Sequence, residues 1–479
     1  MNKTMESTSN SLPGPPSREE DGWLLCPNCG VTYGEPQFFC QRCHYYSPNW
    51  WTYPDMARTR SRWRRRILLL CLFFAFLGYL TYLCRSFIPN PIVFLRQPTS
   101  KLNSLSSSGE WAVYAHNSAH TRYVPRASPL DGRVRWSLDL GESTSSAPAV
   151  KDGTLYVGGQ FKVHAIEAAT GRHIWETKTT GPVHSSPAVA GPLIFLGLLD
   201  GEILALERST GDLRWNYQTQ NFVFSSPTVV DGVLYTGSGD GAIYALDANT
   251  GQFIWSTMTG GAVLSAPAVK DGILYAPSSD RRLYSLSART GALRLRFRMY
   301  WSFVDSTVVA NNLVYFVTSD GRLYTLRHGT REYPGQYKML WMWLQFWLWR
   351  LPVPTPPPQP GSNWRTSPKI PRKGFVSSPA VTPEALYVGD RQGWFYAKDA
   401  VKAEPLWEFK VGSAILASPL VLGEHVYFGS EDGNLYALDR HKGEFLWKVS
   451  LGAPIKVSPV YAAGLLFVRT EDGRLYAVE

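Results

Sequence analysis

From about residue 110 to the C-terminus, short apolar runs alternate with polar turns in a phrase that returns nearly every 40 residues. One copy reads SPTVV, a turn at Asp231 and Gly232, VLYTGS, a turn at Asp240 and Gly241, AIYALDA, a turn ending at Gly251, and QFIWSTMTG. Runs this short are strands rather than helices, and Asp-Gly supplies the positive φ of tight hairpins. Each copy therefore predicts four antiparallel strands. The proline that opens the phrase, or its equivalent, falls at Pro148, Pro187, Pro227, Pro267, Thr307, Pro379, Pro419 and Pro459. The spacing is 39 or 40 residues except for 72 between Thr307 and Pro379, so eight units are expected, the fifth carrying an insertion of 32 residues. Four short strands repeated at this period predict an all-β, eight-bladed propeller. The last unit stops after its third strand, GRLYAVE, and the region opens on an unmatched strand, RVRWSLDL. Residues 133–140 are thus expected to complete the 459–479 unit, closing the ring and removing free sheet edges.

Two positions within the repeat read as packing. The residue before the Pro/Thr is Ala147, Ser186, Ser226, Ala266, Ser306, Ser378, Ser418 or Ser458, always Ala or Ser. Inner strands converge on the axis, where larger side chains would collide, so these serines are read as small rather than catalytic. Trp136, Trp175, Trp215, Trp255, Trp407 and Trp447 recur on the outer strands and are expected to dock one blade on the next. Other positions depart from the pattern. The inner strands begin near Ser145, His184, Phe224, Leu264, Val304, Val376, Leu416 and Lys456, and Asp305 replaces a small residue. His184, Asp305 and Lys456 are therefore candidates for contacting a ligand or peptide at one mouth of the axial channel; the alternative is a solvated rim.

The phrases GDGAIYALDANTGQFIW and EDGNLYALDRHKGEFLW, with the opening EWAVYAHNSAHTRYVP, resemble the PQQ-like β-propeller family over about residues 110–479. The resemblance implies the fold; its members include both quinoprotein dehydrogenases and cofactor-free scaffolds such as a lipoprotein subunit of the outer-membrane β-barrel assembly machine. The enzymes typically carry a vicinal disulfide beside the quinone. Here the propeller has no cysteine and the chain no adjacent pair, and no set of Glu, Asn and Asp for calcium and a catalytic base is evident. The expectation is a propeller without PQQ and without a catalysed reaction.

All six cysteines lie upstream of the propeller. Cys26 and Cys29 in CPNC, with Cys40 and Cys43 in CQRC, have the spacing of a tetrahedral thiolate site, so residues 21–47 read as a ribbon around one structural zinc. A disulfide pair or redox motif is the alternative. Residues 57–66 carry six arginines from Arg58 to Arg66, and an uncharged apolar run from Ile67 to Cys84 follows. Extended to Ile88, this run reads as a single membrane span, 67–88. The arginines precede it, so the N-terminus is expected in the cytoplasm and the propeller outside the cytoplasmic membrane. The net charge of +10 does not revive a nucleic-acid reading, because anionic lipid accounts for the arginine run.

Residues 1–20 read as a Ser/Pro-rich tail and 89–109 as a flexible linker. The insertion, 331–370, contains MLWMWLQFWLW followed by LPVPTPPPQP. Trp341, Trp343, Trp347 and Trp349 are candidates for docking on lipid or a partner groove, the alternative being that they cover a blade. The sequence thus points to a membrane-anchored propeller that binds other proteins as an extracytoplasmic scaffold, with envelope or outer-membrane protein assembly as its expected setting. The rivals are a membrane-bound PQQ-dependent dehydrogenase and a transmembrane sensor with a cytosolic ribbon.

Overall fold

The computed structural model describes residues 24–26, 28–33, 40–44, 54–104, 106, 109–141, 144–365 and 374–479. The tail expected at 1–20 lies outside them, as do parts of the ribbon segment, of the linker and of the insertion. The chain divides into two units, the second beginning at Leu83.

The first unit holds a two-stranded ladder, Leu24–Leu25 with Thr32–Tyr33, and most of helix α1, Pro54–Cys84. Within α1, residues Trp63–Cys84 have a mean hydropathy of 2.4 and none of the most apolar stretch is buried. This is one helix long and apolar enough to cross a membrane by length and composition. It ends at Cys84, short of the expected Ile88, because the chain is captured there: the Leu293 N–H donates to the Ser86 carbonyl at 2.8 Å.

The second unit is a ring of eight sheets, each of four antiparallel strands, the seventh extended inward by Tyr123–Val124 lying parallel to Leu420–Leu422. The third blade, for example, runs outward through Thr228–Val230, Val233–Gly237, Ala242–Asp247 and Phe253–Met258. The eighth is assembled from both ends of the propeller sequence. Val460–Ala462, Leu465–Arg469 and Arg474–Val478 are completed by Val134–Asp139, with Ala477 opposite Trp136 and Arg474 opposite Asp139.

The outer tryptophans dock the blades as expected, by a specific device. Trp215 donates its indole N–H to the Ala248 carbonyl of the next blade at 3.0 Å. Its ring lies over Gly251, whose φ is 73°, and a Cβ there would come within 2.7 Å of the indole. The same donation links Trp136 to Ala168, Trp175 to Arg208, Trp255 to Ala288, Trp407 to Arg440 and, across the ring closure, Trp447 to Leu130. Trp215→Phe keeps most of the apolar area but leaves the Ala248 carbonyl unpartnered. We expect a cost of about 1–3 kcal/mol, read as a lowered denaturant midpoint.

The linker expected at 89–109 is instead an ordered strap in its described part. A 3-10 helix, Pro91–Leu95, is capped by the Asn90 side chain and buries Val93 against Val233, Ile254 and Leu293. Arg96 donates to the Ile254 carbonyl, the Thr99 N–H to Asp247, and the Ser104 N–H to the Val229 carbonyl. The Ser/Asn-rich composition suggested a tether, but these short polar side chains are used to bond strand ends and turns.

Candidate functional site

Residues 109–124 lie across the propeller axis and bond to seven of the eight blades. Trp111 exchanges two hydrogen bonds with Val150 of the first blade. The Val189, Val269, Val309, Val381 and Val421 N–H groups then donate in turn to the carbonyls of Ala112, Ser118, Ala119, Thr121 and Arg122, at 2.6–3.0 Å. Ala463 of the eighth blade donates to Gly109, and the third blade is served by Ser104 of the strap. Left-handed backbone at Ala115, His116, His120 and Arg122 lets the segment curl within the axis. Strain of this kind persists only where surrounding contacts over-determine it.

The inner strands thus meet a plug at one end and surround a cavity of about 300 Å³ at the other. Its lining includes His184, Asp305 and Lys456, so the structure brings the three candidate mouth residues together. Their roles differ. Asp305 is held in the floor: its carboxylate accepts from the Tyr114 hydroxyl at 3.0 Å, the Ser306 N–H at 2.7 Å, and the Ser378 N–H and Ser418 hydroxyl at 3.2 Å each. Arg122, only 2% exposed, lies over the Tyr114 ring at 4.7 Å. Burial raises the Asp305 pKa, but the Arg122 charge and these donors outweigh it and hold the carboxyl below its usual value. Lys456 pairs with Glu471 at 2.5 Å and Glu431 at 3.8 Å. His184 meets the Ser145 hydroxyl at 3.0 Å and stacks on Phe224, and partial burial lowers its pKa.

The Ala/Ser ring proves to do more than relieve crowding. Ala147 N–H donates to the Ser186 hydroxyl, Ser186 to Ser226, Ala266 to Ser306 and Ser418 to Ser458, each at 2.9–3.1 Å. The serines therefore latch successive blades at the axis. The signal was available in the preference for Ser over Ala at six of eight positions.

The second candidate site is the cysteine cluster. The Sγ atoms of Cys26, Cys29, Cys40 and Cys43 all lie within 4.8 Å of one another, with Cys26 to Cys43 and Cys29 to Cys40 at 3.6 Å. Tetrahedral zinc with bonds of about 2.3 Å separates its sulfurs by about 3.8 Å, so the donor set fits such an ion. Tyr33 supports it from outside, its hydroxyl 3.0 Å from Cys40 Sγ. Burial pushes the Cys40 thiol up, but the Tyr33 hydroxyl and the backbone N–H groups of Cys43 and Arg42 bring it down to about 6. The cluster is thus positioned to hold a metal ion on thiolates.

The insertion forms helix α2, Gln336–Leu348, which has no buried residue. Trp341, Trp343, Trp347 and Trp349 are all exposed, Trp349 to 67%. Tyr337, Leu340 and Leu344 are half-buried, and Glu332 on the approach to the helix bonds to the fourth blade.

A ring of four-stranded sheets sewn together by its own N-terminal segment defines a PQQ-like propeller. The chain belongs to the family described as outer membrane protein assembly factor BamB, whose pattern it matches in overlapping segments, 121–256, 222–330, 262–357 and 347–479. Among curated relatives it is 30% identical over 121 residues to a 1-butanol dehydrogenase (cytochrome c) of Thauera butanivorans, covering 21% of this chain and 18% of that protein. It is 28% identical over 103 residues to the quinoprotein alcohol dehydrogenase PedH of Pseudomonas putida, covering 17% of each. The chain thus spans under a fifth of the length of these two relatives. Among solved structures, BamB from Moraxella catarrhalis superposes with a TM-score of 0.57 at 16% identity, over 72% of this chain and 96% of that one. A europium-containing methanol dehydrogenase does so with a TM-score of 0.60 at 17% identity, over 76% and 90%. At these identities the structures share the fold.

Proposed function

We propose that this protein is a non-catalytic scaffold: a propeller anchored by α1 in the cytoplasmic membrane, lying outside the cytoplasm, with a zinc ribbon on the cytoplasmic side. The observation that carries the reading is that the charged groups lining the axial cavity are already engaged within the protein. Asp305 is saturated by four donors, and Lys456 is neutralised by two carboxylates. A quinone tricarboxylate such as PQQ needs cations and donors facing it. Besides His184 and serine hydroxyls, this cavity offers it the one paired lysine and places a carboxylate in the floor, so the residues do not fit the cofactor. What the mouth does present is apolar surface suited to a protein partner: Phe224, Leu264 and Val304 line it and are exposed. The BamB-like family supports an assembly role in the cell envelope.

Two measurements test this reading. Photo-crosslinking from Leu264 and Val304 in intact cells should capture one protein, whereas dye reduction after adding PQQ and calcium would reinstate the dehydrogenase. For topology, the arginine run before α1 sets the orientation. A cysteine introduced at Asp240 should react with an impermeant label in intact cells while one at Ser7 stays protected; the opposite pattern would invert the protein.

A further inference from the structure

Helix α2 has an unusual surface for a water-facing element. A helix on the rim of a folded domain normally turns an apolar stripe inward, yet here the inward stripe, Tyr337, Leu340 and Leu344, is only half-buried, and the tryptophans and methionines are exposed. The place from which it grows explains what would cover it.

The outer strand of the fourth blade, Leu293–Arg298, has Leu295 where other blades carry the docking tryptophan. Two segments cover that strand instead. The first is the chain leaving α1: Ser86 accepts from Leu293, and Phe87 packs beside it with the Arg296 guanidinium 5.8 Å from its ring. The second is the root of the insertion. The Glu332 N–H donates to the Arg294 carbonyl at 2.8 Å, and the Glu332 carboxylate pairs with Arg296 at 2.8 Å. Tyr337 meets Arg298, and the returning Gln359 exchanges hydrogen bonds with the Arg298 backbone at 2.8 and 2.9 Å. Gly335, the N-cap of α2, lies so close to Leu83, the first residue of the second unit, that a Cβ on it would stand 3.4 Å from Leu83 Cδ1.

We propose that α2 is a second membrane anchor lying in the lipid interface, so that the outer edge of the fourth blade faces the bilayer. The inference rests on the reading that α1 spans a membrane. The chain leaves the span at Cys84, and α2 starts beside Leu83, so its apolar surface begins at the depth where the acyl chains give way to headgroups. The run Met339–Trp349 is about 16 Å of helix, too short to cross. Lys338 and Arg350 bracket it, and charges at both ends favour a helix lying in the interface plane with its cations among the headgroups. Tryptophan is the residue best suited to that depth. The Trp343 indole N–H donates to the Pro354 carbonyl at 2.8 Å, tying the helix to its proline-rich return.

The test uses the full chain in nanodiscs of phosphatidylcholine and phosphatidylglycerol. An environment-sensitive fluorescent amino acid is placed at Leu348, at Phe445 on the seventh blade, or at Phe76 inside α1. Nitroxide-bearing lipids should quench the probes at Leu348 and Phe76 several-fold more than the probe at Phe445, with little change at high salt, since apolar burial is the driving force. Replacing Trp341, Trp343, Trp347 and Trp349 together with Ser should remove most of the quenching at Leu348 while the unfolding temperature stays unchanged. Quenching at Phe76 without quenching at Leu348 would overturn the proposal and leave the span intact. Two chains per disc with Leu348 shielded would assign α2 to a second copy instead. Absence of quenching at Phe76 would remove the span and the proposal together.

Discussion

Replacing Asp305 with Ala is expected to destabilise the propeller by about 1.5–3 kcal/mol at neutral pH, the cost of losing hydrogen bonds to a half-buried charged group. The carboxylate gathers the Tyr114 hydroxyl, the Ser306 and Ser378 N–H groups and the Ser418 hydroxyl, and so joins the plug to the fifth, sixth and seventh blades. Its removal strands these donors and leaves the buried Arg122 charge without its counter-charge. Asp305→Asn preserves the shape and isolates the charge. Because the fold holds this carboxyl below its usual value, the stability it contributes is present above the unfolded-state pKa, about 4, and fades as pH falls through the lower folded value. The gap between wild type and Asp305→Asn should therefore be widest near neutrality and close on acidification. Denaturant unfolding in detergent, followed by tryptophan fluorescence across pH, measures both. A loss under about 1 kcal/mol would put Asp305 in the class of exposed surface charges and remove its role as a keystone.

Asp305 also shows where sequence reading succeeds and stops. Its departure from a repeating small residue was visible, and the structure places it in the same cavity as His184 and Lys456. Its partners were not visible, since Tyr114 and Arg122 come from a segment without periodicity, 180 or more residues upstream. The blades were legible because the units repeat the same strand lengths and turn chemistry, and six of the eight repeat the outer tryptophan, so that local signals agree around the ring. Ring closure was legible for the related reason that an unmatched strand and a unit lacking one cannot both stay unpaired. The strap and the plug contain no such repetition. Their order comes from single hydrogen bonds to strand ends, such as Ser118 to Val269 and Thr99 to Asp247, which composition cannot reveal. Likewise, the tryptophan-rich run announced an unusual surface, but only the placement of Gly335 beside Leu83 and of Glu332 on Arg294 and Arg296 gives that surface a location.

The purified full chain should carry one zinc ion, and removing it should unfold the ribbon while leaving the propeller untouched. The described ladder, Leu24–Leu25 with Thr32–Tyr33, pairs two residues with two and cannot hold itself together in water. Folding of such a segment is paid for by metal, about 10–16 kcal/mol for structural zinc near neutral pH. Four thiolates would fill a tetrahedral shell and leave no open position for a substrate, so an ion held there would serve structure. The propeller's buried clusters are built from residues 93 onward, so its unfolding temperature should not depend on the ion. Elemental analysis gives the stoichiometry, and limited proteolysis before and after chelation reads the ribbon. Cys40→Ser removes one ligand together with its contact to Tyr33 and should abolish zinc retention and open residues 24–44 to cleavage. Zinc-free protein in which this segment still resists protease, or mass spectrometry showing Cys26, Cys29, Cys40 and Cys43 joined in two disulfides, would overturn the assignment and reopen the redox alternative.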